Sequence, residues 1–456
     1  MTDLSTAASK AGPADFFVRL AQRWMPDAFV VAIVLTAFTF VLSVGVAGYS
    51  PHNSIAAWGD GFWDLLTFTN QVVLTLLFGY ALAHTKPMVR ALNWAASRAK
   101  SAGGAYLLVG FVSCIAAAFS WALCLVAGAI MARRTAAACE ARGIAVHYPL
   151  LVATGYSGIA VWHQGLSSSI GLAIATSDHF LETAIGVIPI SETLFTAWNL
   201  AALALIVATL PFVMRALAPG PEAVVEMPAG ETHHELEDIE PPVEDDAHKE
   251  APAVKAENSP ILAYLLVAAG VYYIITHFIV RGDGLNLNTL NFCFLILGVA
   301  FAGTPKRYLA LIMDAAKVCS PFLLQYPLYA GIAGMMAQSG LAEMIVNLFV
   351  RFSTAETLPL WTFLSGGLLN MFIPSGGGQW AIQGPIATAA ALELGADMPK
   401  VVMAVAWGDQ WTNLVQPLVA LPALAVAGLH MRDIMGYTLV ALLFTALIFL
   451  SVLALI

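Results

Sequence analysis

Apolar runs of about twenty residues recur along the whole chain, and each is long enough for a transmembrane helix. Of the 456 residues, 59% are hydrophobic and 11% are charged, whereas soluble domains carry roughly 25% charged residues. Lipid leaves exposed backbone groups unsatisfied, so the sequence predicts an all-α polytopic membrane protein. The five cysteines show no CxxC spacing. They therefore indicate neither a disulfide framework nor a metal centre.

An acidic stretch at 219–258 divides the chain. It contains twelve acids and two lysines, a net charge of −10 in a chain whose total is −9. Proline, high charge and few aromatic residues are typical of disordered segments. The sequence predicts a first membrane repeat at 1–218, a disordered cytoplasmic linker at 219–258, and an extra crossing with a second membrane repeat at 259–456.

The distribution of Lys and Arg predicts the orientation, because basic residues concentrate in cytoplasmic loops. Three basic residues before the first apolar run predict a cytoplasmic N-terminus, and the loop at 51–60, which has none, is predicted to be periplasmic. Basic residues flank the segment 104–131 on both sides, with Arg133 and Arg134 after it. A re-entrant hairpin with its tip at Ser120 keeps both flanks in the cytoplasm.

The basic residues of the second half also predict a re-entrant hairpin, but one that enters from the periplasmic side. The loop that follows segment 358–385 has no basic residue until Lys400, so this segment is predicted to be a hairpin that enters from the periplasm. Each half then contains helix, helix, hairpin, interrupted helix and helix, and the extra crossing at 260–280 inverts the second copy. The prediction is about nine full crossings plus two hairpins, with a periplasmic C-terminus. Inverted repeats with interrupted helices are typical of secondary transporters.

The motif NMFIPSGGGQWAIQGP, from Asn370 to Pro385, places proline, serine and three glycines at membrane depth. We predict that PSGGG is the tip of the second hairpin, where glycine lets the backbone approach a ligand and a helix N-terminus presents N–H groups to an anion. A glycine-rich kink that serves only packing is the alternative. The predicted substrate ligands in this motif are Ser375, Gly376, Gly377, Gly378 and Gln379.

Polar residues at the other breaks complete the predicted site. They are Ser120 at the first tip, Ser167 and Ser169 in the interrupted helix 147–176, and Asn413 and Gln416 in the interrupted helix 400–428. For each serine the alternative is a hydrogen bond to its own helix. Two ionisable residues at membrane depth, Asp409 and His163, are coupling candidates for a transported proton or a bound Na⁺. Structural hydrogen bonding is the alternative for both.

Several motifs resemble those of the bacterial short-chain fatty acid transporters that handle acetoacetate and butyrate. These motifs are WGDGFW at Trp58, YPLL at Tyr148, PSGGG with WAIQGP at 374–385, GDQW at Gly408, QP and ALPALA from Gln416, and RDIMGY at Arg432. The resemblance covers nearly the whole chain. It implies uptake of a small monocarboxylate across the inner membrane, without a catalytic residue or a nucleic-acid partner. A similarity to the wider ion-transporter superfamily implies a homodimer with elevator-like motion.

Three alternatives stay open at this point. The cargo could be another small carboxylate, and a channel is compatible with the same composition. The motif GYSG at 155–158 also matches rhomboid-type intramembrane serine proteases, whose serine is activated by a histidine on another helix. No later histidine at membrane depth suits that role, so we expect a protein that is not an enzyme.

Overall fold

The computed structural model describes residues 15–64, 66–177, 179, 181–227, 251–284 and 287–455. Within these ranges the chain is helical almost throughout and contains no strand, as the composition predicted. The predicted all-α class of a multi-pass membrane protein is therefore confirmed. The central part of the predicted linker, 228–250, lies outside the described residues.

Helix starts follow local sequence signals. Ser101, Ser120 and Ser375 each accept a hydrogen bond from the backbone N–H three residues later, which satisfies one of the free donors at a helix N-terminus. Thr304 and Asp397 do the same, and a proline lies one or two residues after them, in the first helical turn, which tolerates proline. These caps explain why breaks inside apolar sequence remain well-defined helix ends.

The described residues of the first half form eleven α-helices. Three short 3₁₀-helices, at 158–164, 190–192 and 221–223, lie between or after them. The α-helices are α1 (Asp15–Trp24), α2 (Ala28–Gly45), α3 (Pro51–Gly61), α4 (Leu66–Ala83), α5 (Lys86–Ala96), α6 (Ala102–Phe119), α7 (Trp121–Glu140), α8 (Tyr148–Ser157), α9 (Ser169–Ile174), α10 (Glu182–Ile185) and α11 (Ala197–Ala216).

The part of the second half that the structure describes forms ten further α-helices, and a π-helix at Thr276–Val280 extends one of them. They are α12 (Pro252–Glu257), α13 (Pro260–Ile275), α14 (Leu287–Ala302), α15 (Pro305–Gln338), α16 (Leu341–Val350), α17 (Leu358–Asn370), α18 (Gly376–Leu394), α19 (Met398–Asn413), α20 (Pro417–Ala427) and α21 (Met431–Leu455).

Helix length and hydropathy identify candidate membrane crossings. Among the described residues, four helices are long and apolar enough to cross on their own, namely 102–119, 197–216, 260–280 and 431–455. Three bent helix pairs raise the number to seven if each pair is one span. The figure of nine crossings, the re-entrant nature of the hairpins and their opposite orientation therefore stay predictions.

The predicted order of elements is present in both halves. Helices α6 and α7 form a hairpin that turns at Ser120, and the next long segment is broken between the 3₁₀-helix 158–164 and α9. In the second half α17 and α18 turn at 371–375, and the next segment is broken between α19 and α20. One buried apolar core, which includes Tyr156 and Trp407, joins the two halves.

Three local predictions differ from the structure. The predicted loop at 51–60 is helix α3, whose Gly61 lies so close to α15 that an added Cβ would be 2.9 Å from the Cα of Gly334. The predicted crossing 319–337 is the second part of the 34-residue helix α15. The ends of the predicted linker also have structure: α12 is helical, and Val225 accepts a hydrogen bond from Tyr148 N–H at 2.8 Å.

Candidate functional site

A cavity of about 1170 Å³ lies between the two hairpin tips. Its floor combines Ser120 and Trp121 of the first tip with Pro374 and Ser375 of the second. Its rim is formed by exposed residues of two loops, 189–190 and 282–284. Eight of the predicted ligands line it: Ser120, Ser167, Ser169, Ser375, Gly376, Gly377, Gly378 and Asn413.

The first hairpin tip is attached to the break in its own interrupted helix. The N–H of Trp121 donates to Ser167 Oγ at 3.0 Å, and the N–H of Leu166 donates to the carbonyl of Ala118 at 2.7 Å. Gly165 permits this contact, because an added Cβ there would collide with the Ala118 carbonyl oxygen. The predicted ligand Ser167 therefore lines the cavity and also holds the tip in place.

The second hairpin tip is the start of α18. Ser375 is the N-cap, and its Oγ accepts from Gly378 N–H at 3.4 Å. The three glycines form the first helical turn, and none of them has a positive φ. The backbone of this turn is therefore ordinary helix. The free N–H groups of this turn border the cavity, as expected for a helix N-terminus.

The start of α18 comes closest to the two interrupted helices at Gly376. A Cβ at this position would collide with Ser169 Oγ and would lie 3.2 Å from His163 Nε2 and 3.4 Å from Asp409 Oδ2. A Cβ at Gly377 would have nothing within 4 Å. The start of α18 is thus pressed against both interrupted helices through a single glycine.

The two predicted coupling residues are in direct contact. His163 Nε2 lies 3.1 Å from Asp409 Oδ2, and both side chains are buried. On its other side, His163 Nδ1 lies 2.9 Å from Ser168 Oγ, which accepts from Gly171 N–H. The Ser168 hydroxyl can then donate to Nδ1, and in that tautomer His163 donates to the carboxylate through Nε2.

Two polar atoms, one in this pair and one next to it, have no hydrogen-bond partner among the described residues. They are Asp409 Oδ1 and Ser169 Oγ, both of which are buried. A buried polar atom without a partner carries a free-energy penalty, so it marks a place where a proton or ligand can be received. Of the two, Ser169 also lines the cavity.

Two predicted ligands face away from the cavity. Gln379 is fully buried, and its Nε2 donates to the Gly366 carbonyl at 3.0 Å and to Gln383 at 2.9 Å. Gln416 caps α20 through Leu418 N–H and donates to the Met371 carbonyl at 3.1 Å. Gln416 thus attaches the second tip to the second break, as Ser167 does for the first.

Several important residues were not predicted from the sequence. Trp121 and Trp162 line the cavity with their ring centroids 5.6 Å apart. Gln410 donates to Ala160 O and Gln164 Oε1, and it accepts from the backbone N–H of His163. The sequence signal that could have identified Gln410 was its position in the GDQW motif, next to Asp409. The only signal for Trp121 and Trp162 was that each lies close to a predicted break in a helix.

The charge of the cavity wall is low. Among the described residues that line it there is no Lys or Arg, whereas uncharged donors and apolar side chains such as Leu172 and Val419 predominate. At the rim, His277 pairs with Asp283 at 3.2 Å. Such a site suits a small molecule with one polar end and one apolar end.

The serine of the GYSG motif does not have the surroundings of a protease nucleophile. Ser157 is fully buried, and its hydroxyl donates to the Ala153 carbonyl at 2.7 Å and lies 3.9 Å from Met214 Sδ. Neither partner is a general base of the kind that activates a serine.

The fold and site define a multi-helix membrane protein of the transporter class, with a central cavity between two helical hairpins. The chain belongs to the short chain fatty acid transporter family, whose model matches residues 13–456. It is 40% identical over 434 residues to a "Putative short-chain fatty acid transporter" of Escherichia coli (strain K12), which covers 95% of this chain and 97% of that protein. A protein of the same name from Haemophilus influenzae is 37% identical over 446 residues, with the same coverages.

Two solved structures are also similar to this chain. The Alcanivorax borkumensis YdaH transporter aligns with a TM-score of 0.48 and 13% identity over 94% of this chain and 98% of that chain. Neisseria gonorrhoeae MtrF aligns with a TM-score of 0.38 and 16% identity over 96% and 97%.

Proposed function

We propose that the protein takes up short-chain fatty acids such as acetoacetate and butyrate across the bacterial inner membrane, in symport with a proton and by alternating access. The N-terminus would be cytoplasmic and the C-terminus periplasmic. The observation that carries the proposal is the start of α18, whose free N–H groups border a cavity without Lys or Arg among its described lining residues. Family membership and the names of the two relatives support the choice of cargo.

The carboxylate would bind at the first turn of α18. Backbone N–H groups and the positive end of the helix dipole favour an anion there, and Ser375 adds a hydroxyl at the same end. The acyl chain would lie against apolar wall residues, among them Trp121 and Trp162. This division explains how a site without a formal positive charge holds a one-carboxylate substrate.

The coupling would be electrostatic. The start of α18 adjoins Asp409 through Gly376, so an ionised Asp409 would repel a carboxylate bound there. At a separation of roughly 6 Å and an effective dielectric constant of about 20, the repulsion is about 3 kcal/mol, roughly a hundredfold in affinity. Protonation of the Asp409–His163 pair removes this repulsion, so proton and substrate would bind together.

Purified protein in liposomes tests the proposal. An inward proton gradient should drive saturable uptake of labelled acetoacetate and butyrate above the passive uptake of protein-free liposomes, and a sodium gradient without a proton gradient should not. Uptake driven only by sodium would overturn proton coupling. Failure to take up either acid under both gradients would overturn the substrate assignment, and screening of other small carboxylates would follow.

Two further expectations belong to the same proposal. The protein would need no cofactor other than the transported proton, and it would act as a homodimer in the lipid bilayer. Mass measurement of the protein in lipid nanodiscs distinguishes a dimer from a monomer. A monomer that retains full transport would contradict the second expectation.

A further inference from the structure

Arg134 is a buried cation that has no carboxylate partner among the residues the structure describes. It lies on α7, the second arm of the first hairpin, and only 2% of its surface is exposed. Its Nη1 donates to Asn93 Oδ1 on α5 at 2.9 Å, whereas Nε and Nη2 have no hydrogen-bond partner among the described residues. The sequence had predicted an ordinary basic flank here, so this burial was not expected.

A guanidinium in this position requires an anion. Arginine does not lose its proton in proteins, and an unpaired buried charge is strongly unfavourable. The guanidinium also has donors arranged to match the two oxygens of a carboxylate. The two free N–H-bearing atoms of Arg134 therefore point to a ligand with a negative charge.

The described residues around Arg134 do not supply that charge. Arg133, the neighbour, donates to the carbonyl of Val426 at the end of α20 and adds a second positive charge. His84, which is also buried, lies within electrostatic reach of both arginines and of Asp314. Asp314 itself already accepts from Tyr80 and Lys317. Among the described residues, no carboxylate lies within salt-bridge distance of Arg134.

A lipid headgroup is a poor fit for the missing anion. Only 2% of the Arg134 surface is exposed, so its guanidinium is enclosed by protein rather than turned towards the bilayer. A guanidinium enclosed in this way is more accessible to a small anion that passes through the protein than to the headgroup of a surrounding lipid.

The position along α7 relates Arg134 to the cavity. Fourteen residues separate it from Ser120 at the hairpin tip, which is about 21 Å along a helix. It lies towards the end of the hairpin that is predicted to face the cytoplasm. An anion that leaves the cavity for the cytoplasm would therefore meet Arg134 after the hairpin tips.

We propose that Arg134 is the centre of a second anion site, which binds the carboxylate of a short-chain acid between the central cavity and the cytoplasm. The identity of this anion rests on the proposed function. In the present conformation the contact with Asn93 keeps the site closed. Separation of α5 from α7 would expose the guanidinium and open the site.

Chemical protection tests the site in the unaltered protein. Phenylglyoxal modifies arginine, and mass spectrometry measures the extent at each position. Butyrate should slow the modification of Arg134 at least about tenfold at saturation, and uncharged butyramide should not. Arg142 is the matched control, because it is exposed, lies two residues beyond the end of the same helix, and donates to Ala99 O and Ser97 O. Its modification should not respond to either compound.

The same preparation must first show butyrate transport, which separates failure of this site from failure of the proposed function. If transport is normal and Arg134 is never modified, the site does not open and the proposal is overturned. Equal protection by butyrate and butyramide, or none by either, overturns it as well.

Kinetics on the two membrane faces give an independent test. Arg134→Gln should raise the half-saturating butyrate concentration at the cytoplasmic face at least about tenfold, which is the effect of a lost charge-assisted hydrogen bond. The half-saturating butyrate concentration at the opposite face should stay within about twofold of the wild-type value. Arg134→Lys should restore part of the loss, and Arg142→Gln should change neither face. An equal change at both faces would indicate a structural role instead.

Discussion

Replacing Gly376 by alanine tests how the second hairpin meets the interrupted helices. The added methyl group would collide with Ser169 Oγ and come within 3.2 Å of His163 Nε2. The methyl group of Gly377→Ala would meet nothing within 4 Å. Both glycines lie in the first turn of α18, so the two variants differ in packing and are matched in helix position.

The expected magnitudes follow from this difference. Alanine in place of glycine favours the helix by at most about 1 kcal/mol in both variants. Overpacking at Gly376 costs about 1–3 kcal/mol. The Gly376→Ala protein should therefore be destabilised by up to about 3 kcal/mol and lose most of its transport. The Gly377→Ala protein should be as stable as the wild type or slightly more so.

Thermal unfolding in detergent and butyrate uptake in liposomes measure the two effects. Ser169→Ala supplies the decisive comparison, because it removes the colliding atom, which itself has no hydrogen-bond partner among the described residues. The double variant Ser169→Ala/Gly376→Ala should recover at least about 1 kcal/mol of the lost stability. If Gly376→Ala unfolds like Gly377→Ala, or if Ser169→Ala restores nothing, the packing argument is wrong.

Three further predictions concern the coupling pair and the two tips. Asp409→Asn should still exchange labelled for unlabelled butyrate, but a proton gradient should no longer accelerate uptake; acceleration equal to that of the wild type would remove Asp409 from coupling. Ser375→Ala should raise the KM for butyrate about ten- to a hundredfold through loss of a hydrogen bond to a charged group, and an unchanged KM would exclude Ser375 from the site. Ser167→Ala leaves Trp121 N–H without its acceptor and should lower stability by about 1–3 kcal/mol in thermal unfolding, whereas an unchanged melting temperature would show that the tip is held by other contacts.

The breaks in the helices could be predicted from sequence for a physical reason. Glycine, proline and serine interrupt apolar runs at Ser120, 165–169, 374–378 and 416–417. Each interruption leaves backbone donors that lipid cannot satisfy. Buried protein contacts or a cavity must therefore surround it, and the structure has both.

The details at each break depend on contacts that are distant in sequence. His163 and Asp409 are 246 residues apart, so their pairing was not visible in local patterns. The same applies to Gly376, whose tight contact is with Ser169 of the other half. Gln379 was predicted to contact the substrate, but it lies on the buried side of α18. Which side of this helix faces the cavity depends on the residue at which the helix begins.

Polar residues also misled the assignment of helix ends. The first turns of α15 carry Lys306, Arg307, Asp314 and Lys317. Hydropathy therefore places the start of the apolar run near residue 319. The helix nevertheless starts at Pro305. Its polar side chains point partly to solvent, since Lys317 is 78% exposed. Hydropathy identifies the part of a helix that can lie in lipid and not the full helix.

The contacts at the two hairpin tips differ in a way that bears on coupling. Each tip is attached to the break of its own half, the first through Ser167 and the second through Gln416. The Asp409–His163 pair, in contrast, joins the interrupted helices of both halves, and the start of α18 rests against it at Gly376. On the proposed mechanism, a change of charge on this pair would act on the contact between the halves and on the carboxylate site together. Because one pair reaches both, proton binding can change substrate affinity without a separate element to transmit the signal.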